Sequence, residues 1–178
     1  VDNALAPTTW RSGDFDNDGR DDLLWRNSST GANQVWPYAA GWAYYPLITI
    51  TDLNWRVAAV ADFDGDGRDD IVWRNAATGQ NTIWRSGSFS SQLSVQTVVS
   101  QDWQIVGAAD FNADGRADLL WRNFVTGENQ IWPQAAGWAY QSLMTMVLLI
   151  LPGVTRGLAR IRSGGPETSL HSCQCRRW

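Results

Sequence analysis

The 178-residue sequence contains no lysine, so all 14 of its Lys/Arg residues are arginines. Its single histidine, His171, and its two cysteines, Cys173 and Cys175, all lie near the C-terminus. Residues 10–146 therefore offer no lysine for a Schiff base, no thiolate and no histidine base. They also lack the ligands that zinc prefers. We expect no catalytic residues in this region.

Long apolar runs are also missing. The longest candidate, Leu143 to Leu151, falls well short of the roughly 18 apolar residues that a membrane span requires. Residues 1–146 hold 17 acidic side chains against 9 arginines, whereas residues 147–178 hold one acid against 5 arginines. The acidic body argues against a nucleic-acid partner and suits cations. Because the sequence begins at Val1 without a methionine, we expect a processed or excised piece of a longer protein.

What the sequence does contain is an internal repeat with a period of 48 residues. The matching positions are Asp14, Asp62 and Asp110; Gly19, Gly67 and Gly115; Trp25, Trp73 and Trp121; and Trp36, Trp84 and Trp132. Trp55 and Trp103 begin the second and third units, and Trp10 is interpreted as their counterpart, with three residues deleted before its loop. We divide the chain into a lead-in (1–9), three repeats (10–52, 53–100 and 101–146) and a non-repeat tail (147–178).

Each repeat alternates short β-favouring runs with turn residues. In the second unit we predict strands at Trp55 to Phe63, Asp70 to Arg74, Asn81 to Trp84 and Leu93 to Val99. Four strands in about 40–50 residues are typical of one β-propeller blade. A β-solenoid would need shorter coils, and a sandwich would not require three near-identical units. We therefore expect an all-β fold of three four-stranded antiparallel blades.

An acidic loop lies between the first two predicted strands of every unit. It reads Asp-Phe-Asp-Asn-Asp-Gly-Arg-Asp-Asp at 14–22, and closely similar loops follow at 62–70 and 110–118. Calcium takes six to eight oxygen ligands, and acidic residues at loop positions 1, 3, 5 and 9 can converge on one ion. The glutamate that an EF-hand requires at position 12 is replaced by tryptophan. The alternative is an Asp-rich turn that hydrogen-bonds its own backbone without metal.

The third loop differs from the other two at one ligand position. Asn112 stands where the first two loops have Asp16 and Asp64, which leaves three carboxylates instead of four. We predict that this loop binds calcium most weakly.

The repeats resemble the FG-GAP/VCBS family, which includes the calcium-binding blades of integrin α-subunits. The resemblance covers residues 10–146 and implies a calcium-stabilised β-propeller that presents loops to a partner, with about three calcium ions in this chain. By this resemblance, Arg20, Arg68 and Arg116 would contribute backbone carbonyls only. The implied side-chain ligands are Asp14, Asp16, Asp18 and Asp22; Asp62, Asp64, Asp66 and Asp70; and Asp110, Asn112, Asp114 and Asp118.

The chain departs from the family pattern in two ways. Three blades cannot close a ring, so we expect either a fragment of a larger propeller or self-association, for example of two chains into a six-bladed ring. The repeat register is lost after about Met146, as an out-of-frame or unrelated C-terminus would produce, although a natural extension would do the same. We assign the tail no function.

The tryptophans of the second and third strands are predicted to pack between blades. Trp42 and Tyr44, with their counterparts Trp138 and Tyr140, lie in a connection where they would form exposed platforms for sugar rings, or would simply pack. The Asn of each Trp-Arg-Asn triplet is predicted to stabilise the turn that follows it.

These observations favour a non-catalytic, calcium-binding module of a secreted or surface protein that binds glycan or protein. One alternative is the propeller portion, catalytic or accessory, of a secreted polysaccharide-active enzyme. Another is a structural spacer of an adhesin. Millimolar calcium outside cells suits such loops, so we expect an extracellular location.

Overall fold

The computed structural model describes residues 8–40, 43–135 and 141–142. They form twelve strands in three antiparallel four-stranded sheets, each ordered as in the sequence. The first sheet contains β1 (Thr8–Gly13), β2 (Asp22–Asn27), β3 (Asn33–Trp36) and β4 (Tyr45–Leu47). The second contains β5 (Trp55–Ala61), β6 (Asp70–Asn75), β7 (Asn81–Trp84) and β8 (Gln92–Val95). The third contains β9 (Trp103–Ala109), β10 (Asp118–Asn123), β11 (Asn129–Trp132) and β12 (Gln141–Ser142). The predicted all-β architecture is confirmed.

A short 3₁₀ turn follows the third strand of every sheet, at Pro37–Ala39, Arg85–Gly87 and Pro133–Ala135. The middle residue of each turn has a left-handed backbone, with φ of 51° at Tyr38, 46° at Ser86 and 48° at Gln134. These turns are the only helical elements in the part of the chain that the structure describes. None of its helices has the length and apolar character needed to cross a bilayer.

The first strands of the three sheets lie side by side, with β1 against β5 and β5 against β9. Together they line an open cleft of about 720 Å³, whose walls include Trp10, Ala59 and Gly107. Successive sheets thus fan out from a shared inner edge, as blades of a partial propeller do.

The strand register corrects one detail of the repeat alignment. Trp55 pairs with Asn75, and Trp103 pairs with Asn123. Asn27 is the counterpart of these two asparagines, so the residue that pairs with Asn27 is the true counterpart of the two tryptophans. That partner is Thr8, whereas Trp10 pairs with Trp25. The interpretation of Trp10 as the counterpart of Trp55 is therefore wrong. The second and third sheets carry a register shift in this strand pair that the β1–β2 pair lacks, and aligning tryptophan with tryptophan concealed this difference.

Apolar side chains fill the two spaces between neighbouring sheets. Trp73 and Trp84 of the second sheet pack against the first sheet, in a cluster that includes Leu24 and Val35. Trp121 of the third sheet packs in the same way against the second sheet. In each sheet the two repeated tryptophans are in contact, with ring centroids 4.8 to 5.0 Å apart. The prediction that these tryptophans pack between blades is confirmed for Trp73, Trp84, Trp121 and Trp132. It is wrong for Trp25 and Trp36, which are half-buried and belong to neither cluster, because no described sheet precedes the first one.

The asparagine of each Trp-Arg-Asn triplet holds a tight turn, as predicted. The Oδ1 atom of Asn75 accepts backbone N–H groups from Ala77 and Thr78, and Asn27 and Asn123 make the equivalent bonds. The second-unit strands agree with prediction to within one residue except at two ends, where β5 stops at Ala61 and β8 at Val95. After Val95 the strand ends, and the carbonyl of Gln96 accepts a hydrogen bond from the Asn81 side chain instead of one from a neighbouring strand.

Candidate metal centre

The first residue of each acidic loop closes the loop through its carboxylate. The Oδ1 atom of Asp62 accepts the N–H of Gly65 at 2.6 Å, and its Oδ2 atom accepts the N–H of Gly67 at 2.8 Å. Asp14 and Asp110 accept the same kind of backbone bonds in their own loops. Gly67, at position 6 of its loop, has φ of 84°, a backbone conformation that favours glycine and allows the sharp turn there. These bonds hold the loops closed with protein groups alone.

The last acidic residue of each loop is buried beneath it. Both carboxylate oxygens of Asp70 accept backbone N–H groups, one from Phe63 at 2.9 Å and one from Ser86 at 2.8 Å. Asp22 and Asp118 make the matching bonds to their own loop and 3₁₀ turn. Position 9 therefore joins the acidic loop to the 3₁₀ turn that follows the third strand, and it fixes the left-handed residue of that turn.

Two of the three loops bring three carboxylates together. Oxygens of Asp14, Asp16 and Asp18 lie within 4.8 Å of one another in the first loop, as do oxygens of Asp62, Asp64 and Asp70 in the second. Three oxygens at this spacing can share one ion at the 2.3–2.6 Å that calcium requires. The donors are all oxygens, which suits a hard cation. The residues present therefore fit calcium.

The remaining predicted ligands lie nearby without belonging to these groups. Asp22 is buried beneath the first loop, and Asp66 is held by a 3.3 Å bond from the Ser86 hydroxyl. Within the described residues, the third loop forms no three-carboxylate group. Its Asn112 instead lies 3.5 Å from Asp118 through its amide nitrogen. The predicted order of binding strengths stays a prediction.

Burial and hydrogen bonding act on these carboxyl groups in opposite directions. Burial raises the pKa of Asp70 to about 6 and outweighs the two backbone bonds that favour its ionised form. Burial likewise raises the pKa of Asp22 and of Asp118. Burial would also raise the pKa of Asp14, but several backbone N–H groups, of which that of Gly19 has the largest effect, donate to this carboxylate. Together they lower the pKa of Asp14 below its ordinary value. A divalent cation near these groups would favour their charged forms.

Backbone hydrogen bonds connect neighbouring acidic loops across the space between sheets. The carbonyl of Asp14 accepts the N–H of Asp69 at 2.7 Å, and Asp69 Oδ2 accepts the N–H of Asp14 at 2.9 Å. The carbonyl of Asp62 accepts the N–H of Ala117 in the same manner, at 2.7 Å. Position 1 of one loop is thus bonded to position 8 of the next, beside the buried aspartate of that next loop.

Sequence reasoning missed one set of residues at the loops, the middle residues of the 3₁₀ turns. Gln134 donates to Asp114 at 2.8 Å, and the Ser86 hydroxyl donates to Asp66. Tyr38 lies under the Arg20 guanidinium, 5.2 Å from its ring centroid, and a hydrogen bond with Asp18 raises the pKa of its phenol. These three residues are spaced by 48, but their identities differ, so a search for identical residues could not find them.

The predicted sugar platform is described at only one of its four positions. Tyr44 is exposed, as that prediction requires. Trp42, Trp138 and Tyr140 lie outside the residues that the structure describes, and so does the tail from 147 onward. The platform therefore stays a prediction.

Comparison with known families decides what the repeats are. The FG-GAP-like repeat matches twice, at residues 14–73 and 62–121, and each match extends from one acidic loop to the tryptophan that follows the next. The chain belongs to the FG-GAP-like repeat family. Repeats of this family often bind Ca²⁺ and are typical of extracellular proteins. No match was found among curated proteins or solved structures.

Proposed function

We propose that this FG-GAP-like chain is a non-catalytic, calcium-binding module whose ions stabilise the sheets that present a glycan- or protein-binding surface outside the cell. The convergence of three carboxylates in each of the first two loops carries the proposal. Like charges held this close repel one another, and a cation removes that repulsion.

The loops are placed where an ion would affect the whole blade. Each loop joins the first two strands of its sheet, and its buried aspartate also holds the 3₁₀ turn after the third strand. Calcium bound to Asp70 would therefore stabilise three of the four strands of the second sheet. Anything that binds only the folded state raises its stability, by about 2.7 kcal/mol at a concentration 100 times the dissociation constant.

Calcium titration by calorimetry, on protein first stripped with a chelator, tests the metal proposal. We expect about three ions per chain, a melting temperature that falls on chelation, and recovery with Ca²⁺. Magnesium should substitute poorly, because it demands octahedral geometry and keeps its waters. A melting temperature that is the same with chelator and with excess calcium would contradict the proposal.

A glycan array, read with and without chelator, tests the binding surface. Signals that require calcium would support a glycan partner, and Tyr44→Ala should weaken them if the aromatic platform contributes. A protein partner would leave the array blank and appear in binding assays against extracellular proteins, whereas a spacer would bind in neither. Release of unsaturated sugars from polysaccharide by the purified chain would contradict the non-catalytic assignment.

A further inference from the structure

Two cavities lie at the strand ends farthest from the acidic loops. One, of about 290 Å³, is lined mainly by residues of β5, β6 and β9, and the other, of about 510 Å³, mainly by residues of β1, β2 and β5. The cavities share Arg11, Arg56 and Val57, so they adjoin. Arg74 lines the first cavity and Arg26 the second. We call the combined space, with these four arginines, the arginine cleft.

The arginine cleft is well separated from the acidic loops. Arg56 precedes Asp62, the first residue of the second loop, by six residues, most of them in β5. Because a strand rises about 3.3 Å per residue, the two residues are about 20 Å apart. This distance is more than twice the screening length of about 8 Å in physiological salt, so the loop carboxylates do little to repel an anion from the cleft.

The second sheet places two positive charges directly opposite each other in this cleft. Arg56 of β5 pairs with Arg74 of β6, and cross-strand partners project from the same face of a sheet. In the other two sheets the residue opposite the matching arginine is neutral, Thr9 in the first and Gln104 in the third. Like charges directly opposite each other destabilise a sheet, and an anion held beside both removes that cost.

The arginines of the cleft lack carboxylate partners. None of the four forms an ion pair within the described ranges. Arg11 donates only to the carbonyl of the residue before it, and the Arg56 side chain has no described hydrogen bond. Arg26 and Arg74 donate to carbonyl and amide oxygens. Burial lowers the pKa of Arg26, which the charge of Asp52 opposes from a greater distance. The cleft therefore carries a net positive charge.

Neutral groups beside the arginines suit a sugar. Gln104 is exposed, and its side-chain amide has no partner among the residues that the structure describes. Trp55 and Val57 add apolar surface. Trp55 is the single aromatic residue among those lining the two cavities, whereas single-stranded nucleic acid is bound on several stacking platforms. An acidic sugar presents an acid group, hydroxyls and an apolar ring face, and the cleft has a partner for each.

We propose that the arginine cleft binds the acid group of an anionic polysaccharide, a carboxylate or a sulfate ester. Arg11 and Arg56 donate hydrogen bonds to the acid group, because their nitrogens are the ones not engaged by buried carbonyls. Arg74 attracts the anion through its charge while its nitrogens stay bonded to protein oxygens. The inference rests on the proposed function, whose glycan partner it makes anionic, and it assigns that partner to a surface apart from the calcium loops.

Calorimetric titration of the full chain in calcium, with trigalacturonate, sulfated maltotriose and neutral maltotriose, tests the proposal. We expect at least one of the two anionic trisaccharides to bind and the neutral one not to, and the anion preferred identifies the acid group. Arg56→Ala should raise the dissociation constant about tenfold or more, from loss of charge-assisted hydrogen bonds. Failure of both anionic probes to bind, or equally tight binding of maltotriose, would overturn the proposal.

Arg122→Ala is the charge-matched control. Arg122 is an exposed arginine that lies over Phe124 and lines neither cavity, so its removal should leave the dissociation constant unchanged. Equal effects of Arg56→Ala and Arg122→Ala would show that net charge alone attracts the probe, and would overturn the assigned site. Arg74 is unsuited to this test because it holds the second and third sheets together.

Thermal unfolding of Arg56→Ala separates loss of the site from loss of the fold. Without sugar, its melting temperature should equal or exceed that of the unaltered chain, because the like-charge pair is gone. The anionic trisaccharide should raise the melting temperature of the unaltered chain more than that of the variant. A variant that melts earlier without sugar would show that Arg56 supports the fold, which contradicts the role given to it.

The same measurements distinguish this inference from the proposed function. Anionic sugar that binds as tightly to Arg56→Ala, and is released by chelator, would be bound at the calcium ions. That result would overturn the arginine cleft and leave a calcium-dependent glycan-binding module. Binding that depends on Arg56 in a chain that takes up no calcium would overturn the calcium proposal and support the cleft.

Discussion

Among the loop carboxylates, Asp70 combines complete burial with both oxygens occupied by backbone N–H donors. Burial raises its pKa to about 6. Because this pKa lies above the ordinary value, ionisation of Asp70 opposes folding in calcium-free protein. Its contribution to stability is present below about pH 4 and is lost as the pH rises through about 6. Bound calcium would reverse this trend, because the metal favours the carboxylate.

The increase in melting temperature that calcium produces should therefore grow as the pH is raised through about 6. Thermal unfolding with calcium and with chelator, measured across that range, checks this expectation. In Asp70→Asn, which has no proton to lose, the increase should be smaller and flatter with pH. An identical pH profile in Asp70→Asn would show that Asp70 is not responsible.

Gly79 is, like its counterpart Gly31, a residue whose replacement should disturb the backbone strongly. It has φ of 75°, and a Cβ atom there would overlap the carbonyl oxygen of Val98. That carbonyl and the Gly79 carbonyl both accept from Arg74. Gly79→Ala should cost more than about 2 kcal/mol of unfolding free energy, measured by urea denaturation.

Gly107→Ala is the matched control for Gly79→Ala. No atom lies within 4 Å of a Cβ built at Gly107, and the equivalent position of the second sheet is already alanine, at Ala59. We expect a change within about 0.5 kcal/mol. Equal losses in the two variants would contradict the role given to the Gly79 turn.

At the scale of the element, the three loops share one set of backbone bonds and differ at one ligand. Asn112 presents a neutral amide where Asp64 presents a carboxylate, which also receives Arg85 at 3.5 Å. A neutral oxygen attracts a divalent ion less strongly than a charged one, and ligand charge tunes calcium affinity. Reciprocal substitutions at this position should therefore change the calcium affinities of the two loops in opposite directions.

If the loops bind calcium as proposed, Asn112→Asp should tighten binding at the third loop by about tenfold, and Asp64→Asn should weaken binding at the second loop by a similar factor. Calorimetric titration of both variants against the unaltered chain measures this. If both substitutions leave every dissociation constant unchanged, position 3 does not contact the ion.

At the scale of the whole molecule, arginines join the sheets where many proteins would use apolar residues alone. Arg74 donates to the carbonyls of Val98, Ser100 and Trp103 and covers Trp121, so it connects the second sheet to the third. Burial lowers its pKa, and no carboxylate is among its hydrogen-bond acceptors. Its charge is balanced by carbonyl dipoles, which its removal would leave without donors.

Arg74→Met should therefore cost about 3 kcal/mol or more of unfolding free energy, because several buried carbonyls lose their donor. Arg122→Met is the matched control, since Arg122 holds the same place in the repeat and is exposed. Arg122→Met should change the unfolding free energy by less than about 0.5 kcal/mol. Chemical denaturation of the two variants side by side gives the comparison.

The sequence predicted the sheets well because a 48-residue period and alternating patterns are properties of the chain itself. The acidic loops were located for the same reason. The register of the first strand was not predicted, because the strand shift beside Val57 depends on pairing with β6 and leaves no mark in composition. Nor did the sequence indicate that Arg26 and Arg74 lie between sheets, since buried arginines depend on acceptors that only the folded chain supplies.

The hydrogen bonds between Asp14 and Asp69 have a consequence for how the ions would bind. Asp14 is a candidate ligand of the first site, and Asp69 immediately precedes Asp70, a candidate ligand of the second. An ion that fixes Asp14 also fixes the backbone that positions Asp70, so the second ion has less ordering left to impose. Occupancy of the first two sites should accordingly rise more steeply with calcium concentration than two independent sites allow, with a Hill coefficient above one.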